Sequence, residues 1–372
     1  MFFLLGIFLA VFLTLLLLIK KHKSRADKVL TAWIFFLCIT QLLRYLTWNK
    51  FFFEYPHWLG VELSLPIIHA VLLFFYVREI TGSPLKNGWE VLAHFLTTIL
   101  LFILVIPFYK LTGAEKIHTY QNHGSEFEWF KTINLPLLVI SGLVYSVWSL
   151  IIIKKHQKRI QDDFSNTDKK ELQWLKYLVV ANATLYVMSI FYDNYIIFAG
   201  IVVLVLFIGF FGINQLDIFH TTLVTEPQRS GTKSIKKGSK KKAEKQKEDS
   251  KRYAKSGLNE EMAADIYGKL NALMSNNAIF KNDQLTLTEL AGLLNVHPNH
   301  LSQVINELEG KNFYNYINSI RIKEFIKLAL LPENKKYTMI SLAYDVGFSS
   351  KSTFNKHFKA NTGKTPTEFF NA

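Results

Sequence analysis

The sequence predicts an all-α protein in two unlike parts: a helical bundle that spans a membrane, and a domain with two helix-turn-helix patterns. Three observations support this prediction. The first 220 residues contain seven apolar stretches, residues 286–369 contain the two helix-turn-helix patterns, and a lysine-rich run separates the two parts. Because each part has its own composition and periodicity, we divide the chain into residues 1–220, 221–258 and 259–372.

The positive charge of the chain is concentrated in its middle part. The 372 residues include 43 Lys/Arg and 29 Asp/Glu, a formal net charge of +14. Residues 229–258 alone hold 12 Lys/Arg against 3 Asp/Glu, whereas residues 259–372 hold 12 against 11. Half of the residues are hydrophobic, and Cys38 is the only cysteine, which excludes an intrachain disulfide framework and a Cys-based metal cage.

The seven apolar stretches each approach the ~20 residues that an α-helix needs to cross ~30 Å of hydrocarbon. The first is not typical of a signal peptide, because its basic cluster follows the apolar run instead of preceding it. The sixth and seventh are separated only by Tyr192, Asp193 and Asn194, and a merged hairpin there would reverse the side on which the chain ends. We predict a seven-span bundle with spans at residues 2–19, 29–48, 59–80, 90–109, 132–153, 174–192 and 195–216.

The charges of the connecting loops predict the orientation of this bundle. Loop 20–28 has five Lys/Arg and loop 154–173 has six, whereas loop 49–58 has one and loop 110–131 has three. Positive charge prefers the cytoplasmic side of a membrane, so we expect the N-terminus outside. An odd number of spans then places the chain from residue 217 onward in the cytoplasm.

Three polar residues inside the predicted spans are candidates for a signal site, because polar groups are costly in a membrane interior. Arg44 and Glu62 lie at similar depth near the outer surface, where they can form an ion pair, line a pocket or reach the interface. His69 follows Glu62 by two helical turns, with Pro66 between them able to kink the helix. It can belong to a ligand or proton site, or make a hydrogen bond between helices. Loop 110–131 has two His and three acidic residues without tight ligand spacing, so we expect no metal there.

The lysine-rich run, residues 226–257, has almost no apolar side chains. A segment of this composition cannot offset the cost of ordering, so we expect a largely disordered linker. Three roles remain open for it. It can be held by anionic lipid, neutralise DNA phosphates, or serve as a solvated tether.

The first helix-turn-helix pattern covers residues 285–308. Thr286 or Thr288 can cap its first helix, Asn295–His297 form the turn, and Pro298 suits the first turn of the second helix. Outward polar side chains on that helix form a hydrogen-bonding set suited to base edges in the major groove. The predicted buried stripe is Leu301, Val304, Ile305 and Leu308, and the outward set is Asn299, His300, Ser302, Gln303 and Asn306.

The second helix-turn-helix pattern covers residues 338–359. Gly347 can supply the backbone freedom of its turn, and Ser349 or Ser350 can cap the second helix. A long helix over residues 313–331 can hold the two patterns apart. The predicted inward side chains are Ile340, Ala343, Val346, Phe354 and Phe358, and the candidates for DNA contact are Ser350, Lys351, Ser352, Thr353, Asn355 and Lys356.

The stretch Leu342–Ser349, followed by Thr353-Phe354, His357–Lys359 and Gly363–Pro366, resembles the C-terminal DNA-binding domain of the AraC/XylS family of bacterial transcription regulators. The resemblance implies a domain of seven helices, with two recognition helices in successive major grooves of double-stranded DNA. It says nothing about the first part of the chain. Together with the loop charges, it leads us to expect a multi-pass protein of the bacterial inner (plasma) membrane.

These observations predict a membrane-embedded, one-component transcription regulator that binds specific DNA in response to an unknown signal. Paired membrane bundles in a homodimer can bring two DNA-binding domains together, and we expect no cofactor. The alternative is a membrane receptor or transporter-like protein whose helix-turn-helix domain binds a protein, although the spans show no discontinuous-helix repeat typical of transport. No nucleophile elbow, phosphate loop, His-Glu-x-x-His motif or paired thiol ligands are present, so we do not expect an enzyme.

Overall fold

The computed structural model describes residues 2–168, 170–192, 194–223, 258–276 and 278–371, except for the side chains at positions 2, 194 and 212–223. Within these ranges the regular structure is helical, apart from an isolated antiparallel bridge between Phe164 and Thr286. The predicted all-α class is confirmed. The predicted linker, residues 221–258, lies outside the described residues except at its two ends.

The chain forms two compact units. The first comprises Met1–Lys154 and Leu172–Arg229, and the second comprises Lys155–Glu171 and Ser230–Ala372. Residues 155–171 comprise the last turns of the helix Glu128–Asp163 and the loop that follows it. They group with the C-terminal helices, whereas the rest of that helix belongs to the first unit.

The first unit is a bundle in which the helix Arg25–Trp48 packs against Phe2–Ile19 and Pro66–Ile80. Its last helix, Asn194–Leu223, packs against Phe2–Ile19 and Gln173–Phe191. Its core is apolar, with Leu30, Trp33 and Tyr76 fully buried. Ser24 and Asp27 form a capping box at the start of the second helix, and Lys20 binds the Asp27 carboxylate at 3.2 Å. The helices are α1 (Phe2–Ile19), α2 (Arg25–Trp48), α3 (Val61–Ser64), α4 (Pro66–Ile80), α5 (Gly88–His94), α6 (Leu96–Leu104), α7 (Ile106–Tyr109), α8 (Gly113–Gln121), α9 (Glu128–Asp163), α10 (Gln173–Phe191) and α11 (Asn194–Leu223).

The prediction of seven membrane spans is wrong for the described residues. Three helical stretches there are long and apolar enough to cross a membrane: Arg25–Trp48, Ser125–Asp163 and Gln173–Phe191. The pair Pro56–Ser64 and Pro66–Ile80, bent by 44°, makes a fourth if it counts as one broken span. This bend lies at Pro66, where the sequence predicts a kink.

Two further predicted spans, the first and the last, fall on the apolar stretches Phe3–Ile19 and Tyr195–Phe211, which are shorter than a full span within the described side chains. The second of these lies in α11, which continues to Leu223. The predicted span 90–109 is divided into α5, α6 and α7 by breaks at Phe95 and Val105. A window of apolar residues indicates burial in protein or lipid, but it does not reveal where the backbone changes direction.

The second unit contains seven α-helices in its described part, as the family resemblance implies. The fourth of them joins two small cores. Phe313 and Ile317 in its first half pack with the preceding helices, and Ile322 and Phe325 in its second half pack with the following ones. One helix thus belongs to both cores and fixes their spacing. The helices are α12 (Glu260–Asn276), α13 (Leu287–Leu293), α14 (Pro298–Glu309), α15 (Phe313–Leu330), α16 (Met339–Asp345), α17 (Lys351–Thr362) and α18 (Pro366–Phe370).

Candidate nucleic-acid interface

The first helix-turn-helix unit consists of α13, a tight turn and α14. Thr286 caps α13: its hydroxyl accepts a hydrogen bond from the Glu289 backbone N–H at 3.1 Å, and the Glu289 carboxylate accepts one from the Thr286 N–H at 2.9 Å. Asn295 in the turn has a left-handed φ of 56°, which asparagine tolerates better than most residues. His297 caps α14, with a proline at the first helical position as predicted. Local side-chain chemistry therefore fixes both helix starts.

The buried face of α14 matches the predicted stripe in three of four positions. Leu301, Val304 and Ile305 are 0% exposed, whereas Leu308 is 48% exposed. Leu308 points in the same direction along the helix, but it lies in the last turn, beyond the neighbouring side chains that cover the other three. The prediction that Leu308 is buried is wrong.

The opposite face of α14 carries the predicted hydrogen-bonding set. Asn299 and Asn306 are exposed, and His300, Ser302 and Gln303 are partly exposed. The Gln303 amide donates to the Glu307 carboxylate at 2.9 Å, and the Asn306 amide donates to the Ser302 carbonyl oxygen at 2.8 Å. Both bonds join residues four positions apart on α14, so each amide is held by a neighbour on the same helix.

The second helix-turn-helix unit consists of α16, a turn at Gly347 and α17. Gly347 has a φ of 99°, and a Cβ there would lie 2.6 Å from the Lys281 carbonyl oxygen, so the turn requires glycine for both conformation and space. Ser350 caps α17 by accepting from the Thr353 N–H at 3.2 Å. Ala343 and Val346 are fully buried as predicted, and Ile340 is partly buried.

One of the candidate DNA-contacting residues on α17 differs from the rest. Lys351, Ser352, Asn355 and Lys356 are exposed, and Ser350 is partly exposed. Thr353 is only 8% exposed, and its hydroxyl donates to the Asp168 carboxylate. In this structure, therefore, Thr353 already has a partner within the chain.

Asp168 belongs to a short stretch, residues 164–168, that we call the docked segment. It follows α9 in sequence and packs into the second unit. The Ser165 N–H donates to the Leu285 carbonyl oxygen at 3.1 Å, next to the bridge between Phe164 and Thr286. The Asp168 carboxylate also accepts from the Ser349 hydroxyl at 2.9 Å. The docked segment thus contacts the start of the first helix-turn-helix unit and the recognition helix of the second.

Arg321, at the middle of α15, holds this arrangement together. It is 1% exposed, and its guanidinium donates to the carbonyl oxygens of Phe280 at 2.7 Å and Asn282 at 2.8 Å. It also donates to the carbonyl oxygen and hydroxyl of Ser165 at 3.3 and 3.2 Å. Burial lowers the pKa of Arg321 to about 10, so the side chain remains charged at neutral pH.

The sequence contains no pattern that points to the docked segment. Asp168 and Ser165 lie in a short polar loop, more than 150 positions before their partners on α15 and α17. Arg321 could have been singled out from the sequence, because an arginine between Ile320 and Ile322 on an apolar helix face is unusual. Its partners are backbone carbonyls, which sequence reasoning cannot select.

The three candidate signal residues of the first unit fall in two places. Arg44 and Glu62 line one cavity of about 810 Å³, together with aromatic side chains that include Phe52, Phe108 and Tyr120. Within the described structure, Arg44 Nε and one Glu62 carboxylate oxygen are buried without a hydrogen-bond partner. His69 is not among the residues that line this cavity.

His69 instead connects two helices. Its Nε2 lies 3.1 Å from the Thr40 hydroxyl oxygen, so α4 and α2 are joined by a buried hydrogen bond. Across the described residues, no group of three or more His, Cys, Asp or Glu side chains is arranged to hold a metal ion.

Comparison with known proteins finds a family model, relatives and a solved structure that each match part of the chain. Residues 290–372 match the family model described as "Helix-turn-helix domain". Uncharacterized HTH-type transcriptional regulators from Staphylococcus aureus strains COL and MSSA476 are each 31% identical over 101 residues, which is 27% of this chain and 13% of each relative. The chain therefore spans only a small part of these relatives. A solved structure, the C-terminal domain of AraT, a response regulator from Geobacillus stearothermophilus, matches 28% of this chain and 83% of its own at 24% identity, with a TM-score of 0.25.

The two capped helix pairs around α15 define a domain of the helix-turn-helix class. The family match identifies residues 290–372 as a helix-turn-helix domain, and the motifs along them resemble those of the AraC type. Domains of this type are found in DNA-binding transcription regulators and are generally not enzymatic.

Proposed function

We propose that this protein is a membrane-embedded transcription regulator that binds specific double-stranded DNA through α14 and α17. One observation supports this most: two helix-turn-helix units share the rigid helix α15, and each presents a capped helix with a polar outer face. Helices of this kind enter the major groove, and two in succession can read neighbouring grooves on one face of the duplex.

The two recognition helices differ in their outward chemistry, which suggests different tasks. On α14, the amides of Gln303 and Asn306 can donate to and accept from base edges. On α17, Lys351 and Lys356 add positive charge that can bind phosphates or guanine. We expect α14 to contribute more to sequence selection and α17 to contribute more to salt-dependent affinity.

Genome-wide DNA capture with the full-length protein tests this proposal. We expect discrete binding sites, and we expect Gln303→Ala combined with Lys356→Ala to remove them. The matched control replaces Gln284 and Lys269, an amide and a lysine of the same domain outside α14 and α17, with alanine. Sites that survive the first pair of substitutions as well as the second would contradict direct reading by these helices.

The proposal of membrane embedding is supported by the exposed surface of α9. Ile140, Val144, Val147 and Ile151 recur at the spacing of one helical face and are 58%, 53%, 56% and 46% exposed. A continuous apolar stripe of this kind is unfavourable in water and is suited to hydrocarbon. From the loop charges, we propose that the helix-turn-helix domain lies in the cytoplasm, on the same side of the bacterial inner membrane as the basic loop 154–173.

Topology reporters test this placement independently of DNA binding. A reporter fused after residue 220 should score as cytoplasmic, and one inserted at residue 124 should score as extracytoplasmic. The reverse pattern, or recovery of the full chain in the soluble fraction, would contradict the membrane proposal without bearing on the DNA capture result.

The cavity lined by Arg44 and Glu62 is our proposed signal site. Its lining comes from residues 44–63 and 105–131, which include both loops that we expect on the outer side. Three cationic side chains, those of Arg44, Lys50 and Lys131, line the cavity with aromatic walls and the Glu62 carboxylate, and Lys131 also binds the Glu128 carboxylate at 2.8 Å. This lining favours an amphipathic anion with an apolar body, whose acidic group can bind the buried guanidinium.

Calorimetric titration of the full chain in lipid nanodiscs with 2-naphthoate tests the ligand class. We expect saturable binding that Arg44→Met weakens by about tenfold. The control Lys86→Met removes an exposed cation away from the cavity and should leave the affinity unchanged. The proposal of an anionic ligand would be overturned by a wild-type chain that does not bind the probe, or by equal affinity in Arg44→Met.

A further inference from the structure

We propose that the docked segment is an intramolecular latch that occupies the start of recognition helix α17 and competes there with a DNA phosphate. This proposal rests on the proposed DNA binding and adds a mode of control to it. In this structure, the hydroxyls of Ser349 and Thr353 both donate to the Asp168 carboxylate of the same chain.

The docked segment is held firmly enough to act as a competitor. Ser165 is 1% exposed and Thr167 is 0% exposed, although both lie in an irregular polar stretch. The Ser165 carbonyl oxygen accepts from the Asn318 amide at 3.1 Å as well as from Arg321. Buried hydrogen bonds of this kind fix the position of the backbone and therefore the position of Asp168.

Asp168 lies where a phosphate would be favoured. The N-terminus of a 12-residue helix presents N–H groups without partners inside the helix, one of which Ser350 caps here, and a partial positive charge, so it attracts anions. Asp168 offers a carboxylate to this helix end through the Ser349 and Thr353 hydroxyls. The carboxylate is exposed, so a phosphate that approaches the same hydroxyls meets a like charge. The Asp168 carboxylate therefore occupies the position of a phosphate contact, and its negative charge also repels the phosphate.

The covalent connections of the docked segment suggest what releases it. It follows α9 directly, and α10 begins five residues after it; both helices lie in stretches apolar and long enough to cross a membrane. A change in the spacing or rotation of α9 and α10 must be transmitted to the loop that joins them. A signal that favours one arrangement of these helices would shift the population of the docked and released states.

Binding of the full chain in nanodiscs to a fluorescein-labelled duplex of mixed sequence tests the latch, because phosphate contacts contribute to binding of any sequence. We expect Asp168→Ala, which removes the charge and both hydrogen bonds, to tighten binding by about fivefold or more at low salt. Asp168→Asn removes the charge and keeps an acceptor oxygen, so it should tighten binding by a smaller factor. Asp265→Asn removes one exposed carboxylate from α12 of the same domain and should leave the affinity unchanged.

A reversible lock provides a second measurement that does not depend on loss of charge. In a Cys38→Ala background, Asp168→Cys with Thr353→Cys allows a disulfide to hold the segment on α17. The oxidised form should bind the duplex about tenfold more weakly than the same protein after reduction.

The outcomes separate the latch from the function on which it rests. If no form of the chain binds DNA at low salt, the proposed function fails. If all forms bind equally, with unchanged melting temperature, DNA binding stands and the latch is overturned. Weaker binding by Asp168→Ala together with a lower melting temperature would also overturn it, because the segment would then be a structural support of the binding-competent domain.

Discussion

At the residue scale, Arg321 is the polar group on which the second unit depends most. Its guanidinium donates to three backbone carbonyls from two separate loops, and the bonds to Phe280 and Ser165 are buried whereas the bond to Asn282 is partly buried. A carbonyl that loses its donor inside a protein costs about 1–3 kcal/mol. The arginine therefore stabilises the fold by donating to backbone carbonyls of two segments, although the Ser165 and Asn282 carbonyls also accept from the Asn318 amide and the Leu285 N–H.

We expect Arg321→Met to destabilise the second unit by about 3 kcal/mol or more, because it removes the hydrogen bonds to all three carbonyls and to the Ser165 hydroxyl. Faster hydrogen exchange of α15 and α17 amides, measured by mass spectrometry, would show this loss. Lys323→Met removes an exposed cation two residues away and should have little effect. Equal exchange in both variants would contradict the structural role of Arg321.

His357, on the buried face of α17, gives the second unit a pH dependence. Burial is the first cause that lowers its pKa from 6.5 to about 4, and the charges of Lys356 and Arg321 act in the same direction. The carboxylates of Asp168 and Glu171 oppose them. The ring packs edge-on against Tyr314, with centroids 4.8 Å apart, as a neutral aromatic group.

The sign of the effect follows from the lowered pKa. Between about pH 4 and 6.5 the unfolded state binds more protons at His357, so its contribution to stability is complete above 6.5 and is lost as the pH falls. The loss should reach ~3 kcal/mol at the lower limit. Calorimetry of wild type and His357→Phe, which keeps a ring and removes the titration, checks this. An identical fall in melting temperature on acidification of both proteins would exclude the effect.

At the element scale, the turn of the second helix-turn-helix unit depends on one glycine. Gly347→Ala would place a left-handed alanine against the Lys281 carbonyl oxygen, and we expect a loss of about 2 kcal/mol or more. Gly363→Ala, at the end of α17, is a matched control: its φ is also positive at 77°, but nothing lies within 4 Å of the added Cβ. Gly363→Ala should cost about 1 kcal/mol. A larger loss in Gly363→Ala, measured by thermal unfolding, would contradict the steric argument.

The helix starts of the second unit could be predicted from the sequence because capping is local. Thr286 and Ser350 each bond to a backbone N–H three residues ahead, so a short window contains the whole interaction. Leu308 shows the limit of this reasoning: periodicity gives the direction of a side chain and not how far the neighbouring helix extends. The same limit applies to the predicted span 90–109, where the apolar pattern continues across two backbone breaks.

At the scale of the whole molecule, the sequence predicts two parts, and the structure has two compact units. The assignment of residues 155–171 to the second unit could not be predicted. It depends on bonds from Ser165 to Leu285, Asn318 and Arg321, which join a polar loop to backbone and side chains far along the chain. No local propensity selects such partners, whereas the recognition helices follow from patterns within about 24 residues.

The claim that a membrane-embedded chain reads DNA directly is tested best by nuclease footprinting with the full-length protein in lipid nanodiscs, on a fragment recovered by DNA capture. We predict two protected tracts on one face of the duplex, about one helical turn or 10 base pairs apart. Gln303→Ala should weaken one tract and Lys356→Ala the other. A single tract, or two tracts that both substitutions leave intact, would contradict the account.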